Sequence, residues 1–309
     1  MTGASGFVGS ALCNELIKRG FAVRGSVRSL NHVTASFNFD TTPVGYLDAN
    51  TDWSLALAGV DCVIHCASHL NYNSASESRI SDYRSVNVEA TRRLAEQASK
   101  AGVSRLVFIS SIGVNGVHTN GRGPFTIYDK PEPSGNYAQS KWEAEQALWA
   151  VANKTGLEVV VVRPPLVYGA GVKGNLARLL KLVRTGMPLP LGAVHNQRSL
   201  IGLDNLVDLL IRCVDHPAAA GQTLLVSDDE DVSTPELIQY IASGLGRQPV
   251  LFPLPMSIIQ LLGRITGKQW AINRLIGSLH VDTRHTCDLL DWKPPVALAE
   301  GIRRMTQSL

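Results

Sequence analysis

The sequence has no CxxC pair and an odd number of cysteines, five in 309 residues (Cys13, Cys62, Cys66, Cys213, Cys287). That excludes a disulfide framework and predicts reduced, mostly buried thiols in a cytoplasmic protein. It has no block of like charge: 29 Lys and Arg against 26 Asp and Glu leave a net charge of +3 from scattered residues. Nucleic acid and membrane surfaces are therefore not the expected partners. Long apolar runs are missing too, and the stretch LFPLPMSIIQLLG is too short and too proline-broken to span a bilayer. No signal peptide, internal repeat or low-complexity segment is visible. Hydrophobic content of 45% and charged content of 18% over this length suffice for one large domain or two lobes.

One further lack stands at the very start. MTGASGFVGSALCNELIKRG places Gly3, Gly6 and Gly9 before a helix-like run with no strand in front of them. A glycine turn feeding a helix N-terminus suits a phosphate, because unpaired N–H groups and the helix dipole favour an anion. Such a turn is expected to follow a buried strand, yet only Met1 precedes Thr2. The expectation is that the true reading frame begins upstream, or that the chain is a fragment.

The first two-thirds alternate strand-like and helix-like segments. Strands are expected at AVRGSVR (22–28), VGYLD (44–48), CVIHCA (62–67), RLVFIS (105–110) and EVVVVRP (158–164). Helices are expected over Ala11–Arg19, Tyr83–Ala101 and Tyr137–Asn153, with LLIRCVD and TLLVSDD adding a later helix and strand. Short β-branched runs between amphipathic helices predict an α/β fold with a doubly wound parallel sheet. From about Asp229 the texture changes to helices punctuated by Pro and Gly, and YGAGVKGNLARLLKLVRTGMPLPLG resembles that texture. The expectation is a dinucleotide-binding domain over 1–167 and 199–228, with a smaller, discontinuous substrate lobe over 168–198 and 229–309.

Three stretches give the glycine turn its meaning. RLVFISSIGVNG ends a strand with Ser110 and Ser111; NYAQSKWEAE places Tyr137 and Lys141 four apart, on one helix face; VVVRPPLVYG follows. With TGASGFVG, in this order, they resemble the extended short-chain dehydrogenase/reductase family, the NAD-dependent epimerase/dehydratase branch that holds nucleotide-sugar 4-epimerases and 4-ketoreductases. The resemblance covers nearly the whole chain, through CDLLDWKPPVALAEGI, and implies a Rossmann domain. Hydride transfer to a ketone leaves charge on oxygen, which a positioned acid must protonate. Tyrosine, with a pKa near ~10, needs a neighbouring ammonium to serve at neutral pH.

By resemblance Tyr137 is the acid/base, Lys141 also holds the nicotinamide ribose, and Ser111 orients the carbonyl. Ser110 is the neighbouring candidate; Ser111 is favoured because it stands three residues before Val114, as in the family's SxxVYG. Ile112 and Gly113 replace the Asp-Glu pair of sugar 4,6-dehydratases, which argues against dehydration. The resemblance places the cofactor against Gly3, Ser5, Gly6, Phe7, Val8 and Gly9. It adds Asp48 and Ala49, Cys66, Ala67 and Ser68, and Pro164 and Leu166. After the second strand Val27 stands where an acid would bond the ribose 2′-OH, followed by Arg28 and Ser29, so NADP(H) is favoured over NAD(H). His65, Cys66 and His69 fall beside that cofactor position, and no metal is expected.

For substrate, Arg198 resembles the arginine that grips a nucleotide diphosphate, with Asn175 and Arg274 as further candidates. Leu166 follows Pro164 and Pro165 where many hexose epimerases carry an asparagine. The leading expectation is reduction of a UDP-4-keto-6-deoxy-hexosamine (UDP-N-acetylquinovosamine type) in surface-polysaccharide or lipopolysaccharide synthesis. The alternatives are a UDP-hexose or UDP-N-acetylhexosamine 4-epimerase, a dihydroflavonol-type ketone reductase suggested by VRGSVRS, and a non-catalytic dinucleotide-binding protein. The resemblance also implies a homodimer joined through the helices around Tyr83–Ala101 and Tyr137–Asn153.

Overall fold

The Val-rich run of 158–163 alternates its side chains between two apolar layers, as a strand covered on both faces must. The computed structural model describes residues 1–29, 39–70, 79–267 and 269–308. In chain order its first half contains α1 (Phe7–Lys18), β1 (Arg24–Val27), β2 (Asp40–Pro43), α2 (Ser54–Leu57), β3 (Cys62–His65), α3 (Ile80–Tyr83), α4 (Ala90–Lys100), β4 (Arg105–Ile109) and α5 (Asn136–Thr155). Then come β5 (Glu158–Arg163), β6 (Leu166–Tyr168), α6 (Gly174–Thr185), β7 (Leu200–Gly202), α7 (Leu203–Asp215) and β8 (Thr223–Leu225). The chain closes with α8 (Thr234–Gly244), α9 (Met256–Ile265), α10 (Gln269–Ile276), α11 (Arg284–Leu290) and α12 (Leu298–Gln307).

Strands β3, β4, β5 and β8 pair in that order, all parallel, and β1 pairs parallel with β2. Met1 and Thr2 join the two sets. The Ser26 N–H donates to the Met1 carbonyl at 2.7 Å, and the Thr2 N–H to the Ile64 carbonyl at 3.0 Å. Two residues thus occupy the central place where the sequence predicts a whole strand. The Met1 ammonium donates to the Arg24 carbonyl at 2.8 Å, and burial lowers its pKa.

On one face Val107, Val160 and Val162 pack with Leu12 and Leu16 of α1 and with Leu206, Leu209 and Leu210 of α7. On the other, Leu106, Phe108, Val159 and Val161 pack with Leu94 and Ala98 of α4 and Ala144 and Leu148 of α5. The helices expected to join a dimer therefore spend these apolar residues on the core. A second core gathers Leu176 and Leu180 of α6, Leu237, Ile238 and Ile241 of α8, and Leu298, Ile302 and Met305 of α12.

Three expectations need correction. VGYLD (44–48) is not a strand: β2 ends at Pro43, Gly45 has φ 71°, and Asp48 lies in a turn closed by its own carboxylate on the Asn50 N–H. The helix expected over Tyr83–Ala101 starts earlier, with α3, and runs into α4 through a π-helical turn at Arg84–Glu89. Leu290 and Trp292, assigned to the second lobe, belong to the first core, because α11 folds back beside β8.

Candidate active site

Gly3 and Gly9 are fixed by space. A Cβ on Gly9 would stand 2.1 Å from the Gly3 carbonyl oxygen, and one on Gly3, at φ +65°, would stand 2.8 Å from the Ala67 nitrogen. The turn is thereby pressed against the loop after β3. Gly6 is the extended N-cap of α1, with no side-chain cap and no acidic residue in the first turn. The helix end thus brings no anion of its own, and it fits a dinucleotide diphosphate. Ser5 and Gly6 are exposed, whereas Phe7 and Val8 are half-buried against the first core.

The loop after β3 is held by buried polar groups. His65 shares hydrogen bonds with the Thr2 hydroxyl through Nδ1 (2.6 Å) and with the Thr91 hydroxyl through Nε2 (2.8 Å). Burial, then the Lys141 charge, pushes its pKa down to about 3, so it is a neutral strut. The Ala67 N–H donates to the Thr2 hydroxyl at 3.1 Å. Burial also pushes the Cys66 thiol up to about 12, leaving it unreactive. Asn87, buried in the π-helical turn, accepts from the His69 N–H at 2.7 Å and donates to the Ser140 hydroxyl at 2.9 Å. It ties this loop to the first turns of α5, where Tyr137 stands. Departures from regular helix of this kind recur at functional sites.

Lys141 follows Tyr137 by one turn and points inward. It is 2% exposed, with its Nζ 3.9 Å from the Phe108 ring centroid. Burial lowers its pKa to about 7, against the raising charge of Glu145. Tyr137 is half-buried, its ring edge-on to Tyr83 at 6.4 Å; Tyr83 in turn meets His69 at 5.0 Å.

The two serines part company. Ser110 is buried and donates its hydroxyl to Glu145. Ser111 is half-buried and caps the short 3-10 turn Ile112–Val114, its Oγ accepting from the Gly113 N–H at 3.1 Å. A Cβ on Gly113 would lie 3.5 Å from the Ala138 Cβ, so this turn abuts the start of α5. The Pro164 carbonyl accepts from the Ile112 N–H at 2.9 Å, and Leu166, 37% exposed, opens β6. Glycine turn, β3 loop, Ser111 turn and α5 thus share the carboxyl end of the sheet, where α/β proteins bind ligands.

On the far side Val27 is buried, and Arg28 is exposed over the Tyr46 ring at 4.8 Å, with Ser29 half-buried after it. Asp48 and Ala49 border an open depression with Ile80, Ser81 and Arg84. Beyond β6, Arg198 donates to the carbonyls of Arg274 and, at 3.1 Å, Gly277. Desolvation and the Arg274 charge lower its pKa to about 10. Arg274 is near enough for its charge to act on Arg198, and positive charge gathered in this way suits an anion. Asn175 is exposed in the first turn of α6.

Sequence reasoning missed the buried ion pair behind the site. Glu145 accepts from Arg163 through Nε (3.0 Å) and Nη2, and Arg163 Nη1 donates to the Asn115 Oδ1 at 2.8 Å. The signal was present: Glu145 lies four residues after Lys141, on the same helix face, and Arg163 ends a strand buried on both sides.

Comparison with known proteins agrees with this arrangement. The profile of the NAD dependent epimerase/dehydratase family matches residues 1–226. A UDP-glucose 4-epimerase of Vibrio cholerae is 42% identical over 311 residues, spanning 100% of this chain and 94% of that protein. The N-acetyl-alpha-D-glucosaminyl-diphospho-ditrans,octacis-undecaprenol 4-epimerase of Escherichia coli O157:H7 is 27% identical over 88% of this chain and 82% of its own length. The crystal structure of UDP-N-acetylglucosamine 4-epimerase from Bacillus cereus superposes with a TM-score of 0.81 at 19% identity, covering 99% of this chain and 96% of that one. This chain therefore belongs to the NAD dependent epimerase/dehydratase family and is an enzyme of the extended short-chain dehydrogenase/reductase type that uses a nicotinamide dinucleotide.

Proposed function

We propose that the protein is a nucleotide-sugar 4-epimerase acting on a UDP-hexose or UDP-N-acetylhexosamine. The observation that carries it is the extent of likeness to the Vibrio cholerae UDP-glucose 4-epimerase, 42% identical across the whole chain. The relatives favour this reading over the UDP-4-keto-sugar reductase that heads the sequence-based expectations, and the same side chains serve both reactions.

A bound nicotinamide supplies hydride acceptance and return at C4. The chain's own residues do the rest. Tyr137, as phenolate, takes the proton of the C4 hydroxyl and returns it to the same oxygen after the sugar turns. The Lys141 ammonium, held in a low-dielectric site, stabilises that phenolate. Ser111 donates a hydrogen bond to the C4 oxygen, and Arg198 with Arg274 neutralises the diphosphate. Arg28, with Val27 rather than a carboxylate at the end of β1, supports a 2′-phosphate on the adenine ribose and hence NADP(H).

The test incubates purified protein with UDP-glucose or UDP-N-acetylglucosamine, with NAD or NADP supplied separately, and follows the sugar by proton NMR. The C4 epimer should appear with no net change in reduced nicotinamide, and faster with NADP. Consumption of NADPH by a 4-keto sugar without epimer formation would restore the reductase.

A further inference from the structure

Helix α9 has two apolar stripes, and the fold uses one of them. Ile259 and Gly263 face inward against α10; a Cβ on Gly263 would stand 2.8 Å from the Ile272 Cδ1. The other stripe is Ile258, Leu261, Leu262 and Ile265, spaced i, i+3, i+4 and i+7, and it is 42%, 54%, 47% and 73% exposed. Phe252, also exposed, lies on the segment that enters the helix. A stripe with this spacing is the pattern of a helix face that packs on something.

Charge indicates what covers it. Residues 237–281 contain Arg247, Arg264, Lys268 and Arg274 and no Asp or Glu. An isologous contact with a second copy would set these cations against each other with no carboxylate of the segment between them. A layer of lipid phosphates complements both features at once. The chain-wide balance of +3 conceals this local excess, so composition gave no sign of it. Among the described residues no helix is long and apolar enough to cross a membrane, so the contact is interfacial.

We propose that the outer face of α9, with the basic segment around it, docks on an anionic lipid bilayer. The proposal goes beyond the epimerase reading and does not depend on it, since binding is measured without turnover.

The test floats the full chain with vesicles of phosphatidylcholine containing about a third phosphatidylglycerol. The protein should rise with these vesicles, stay behind with pure phosphatidylcholine, and be released by ~1 M salt. Leu261→Asp with Ile265→Asp should cut the floated fraction about tenfold while melting temperature and turnover of soluble substrate stay unchanged. Should that variant melt lower, Arg264→Glu, an exposed change, should still weaken flotation. Failure of the natural sequence to float, equal flotation of both variants, or a solution dimer that Leu261→Asp with Ile265→Asp dissociates would overturn the proposal.

Discussion

Glu145→Gln perturbs both the stability of the site and its titration. Glu145 is 0% exposed and neutralises Arg163, which is 4% exposed. In the variant Arg163 keeps its hydrogen bond to Asn115 but loses its counter-charge, and an unpaired buried charge of this kind costs about 3–5 kcal/mol. For a chain of this size that lowers the melting temperature on the order of 10 °C. The second effect falls on Lys141, whose pKa of about 7 reflects burial partly offset by Glu145. Without that carboxylate burial acts with less opposition, so the ammonium is lost at lower pH. The alkaline limb of the rate profile should then move toward acid by on the order of one pH unit. Calorimetry and a pH profile of kcat check the two effects separately. A melting temperature within about 2 °C of the natural protein's, together with an unmoved alkaline limb, would refute the reasoning.

Gly9→Ala should destabilise the protein by roughly 3 kcal/mol or more, since the new Cβ meets backbone 2.1 Å away and no side chain can yield; denaturant titration checks it. His65 is held neutral with a pKa of about 3 against an ordinary 6.5. The unfolded chain therefore binds the extra proton between these values, and stability should fall by roughly 4 kcal/mol as pH drops from 6.5 toward 3. His65→Gln should flatten that slope in urea midpoints measured across the window. Arg198→Ala should raise KM for a UDP-sugar at least ~tenfold with a smaller effect on kcat, because it removes binding common to ground and transition states; steady-state kinetics reads the split.

Periodicity made the sheet and its helices legible, because residues 106–109 and 159–162 are apolar throughout and the flanking helices show one apolar face. The strand over 44–48 was misplaced because VGYLD carries β-prone residues, whereas Gly45 turns the chain first. The return of Leu290 and Trp292 to the first core was invisible for a different reason. The packing of α11 beside β8 depends on tertiary neighbours that no local pattern encodes. At the site, Tyr137, Lys141 and Ser111 were singled out by resemblance to the family's motifs, and spacing added only that Tyr137 and Lys141 share a helix face. The Glu145–Arg163 pair left a positional sign, the four-residue spacing from Lys141, but its burial, like that of Asn87, became visible only in the fold, since a polar residue in a helix reads as solvated until then. The Thr2–His65–Thr91 chain joins residues 63 and 26 positions apart, and only the parallel order of the sheet brings them together.

The most direct measurement compares Tyr137→Phe with the natural sequence in C4 inversion of a UDP-sugar, alongside the dissociation constants of sugar and nicotinamide dinucleotide. Removing one hydroxyl from the proton path should slow inversion by about a thousandfold or more while both dissociation constants stay within roughly threefold. Inversion within about tenfold of the natural rate would contradict the account, because some other group would then be moving the proton.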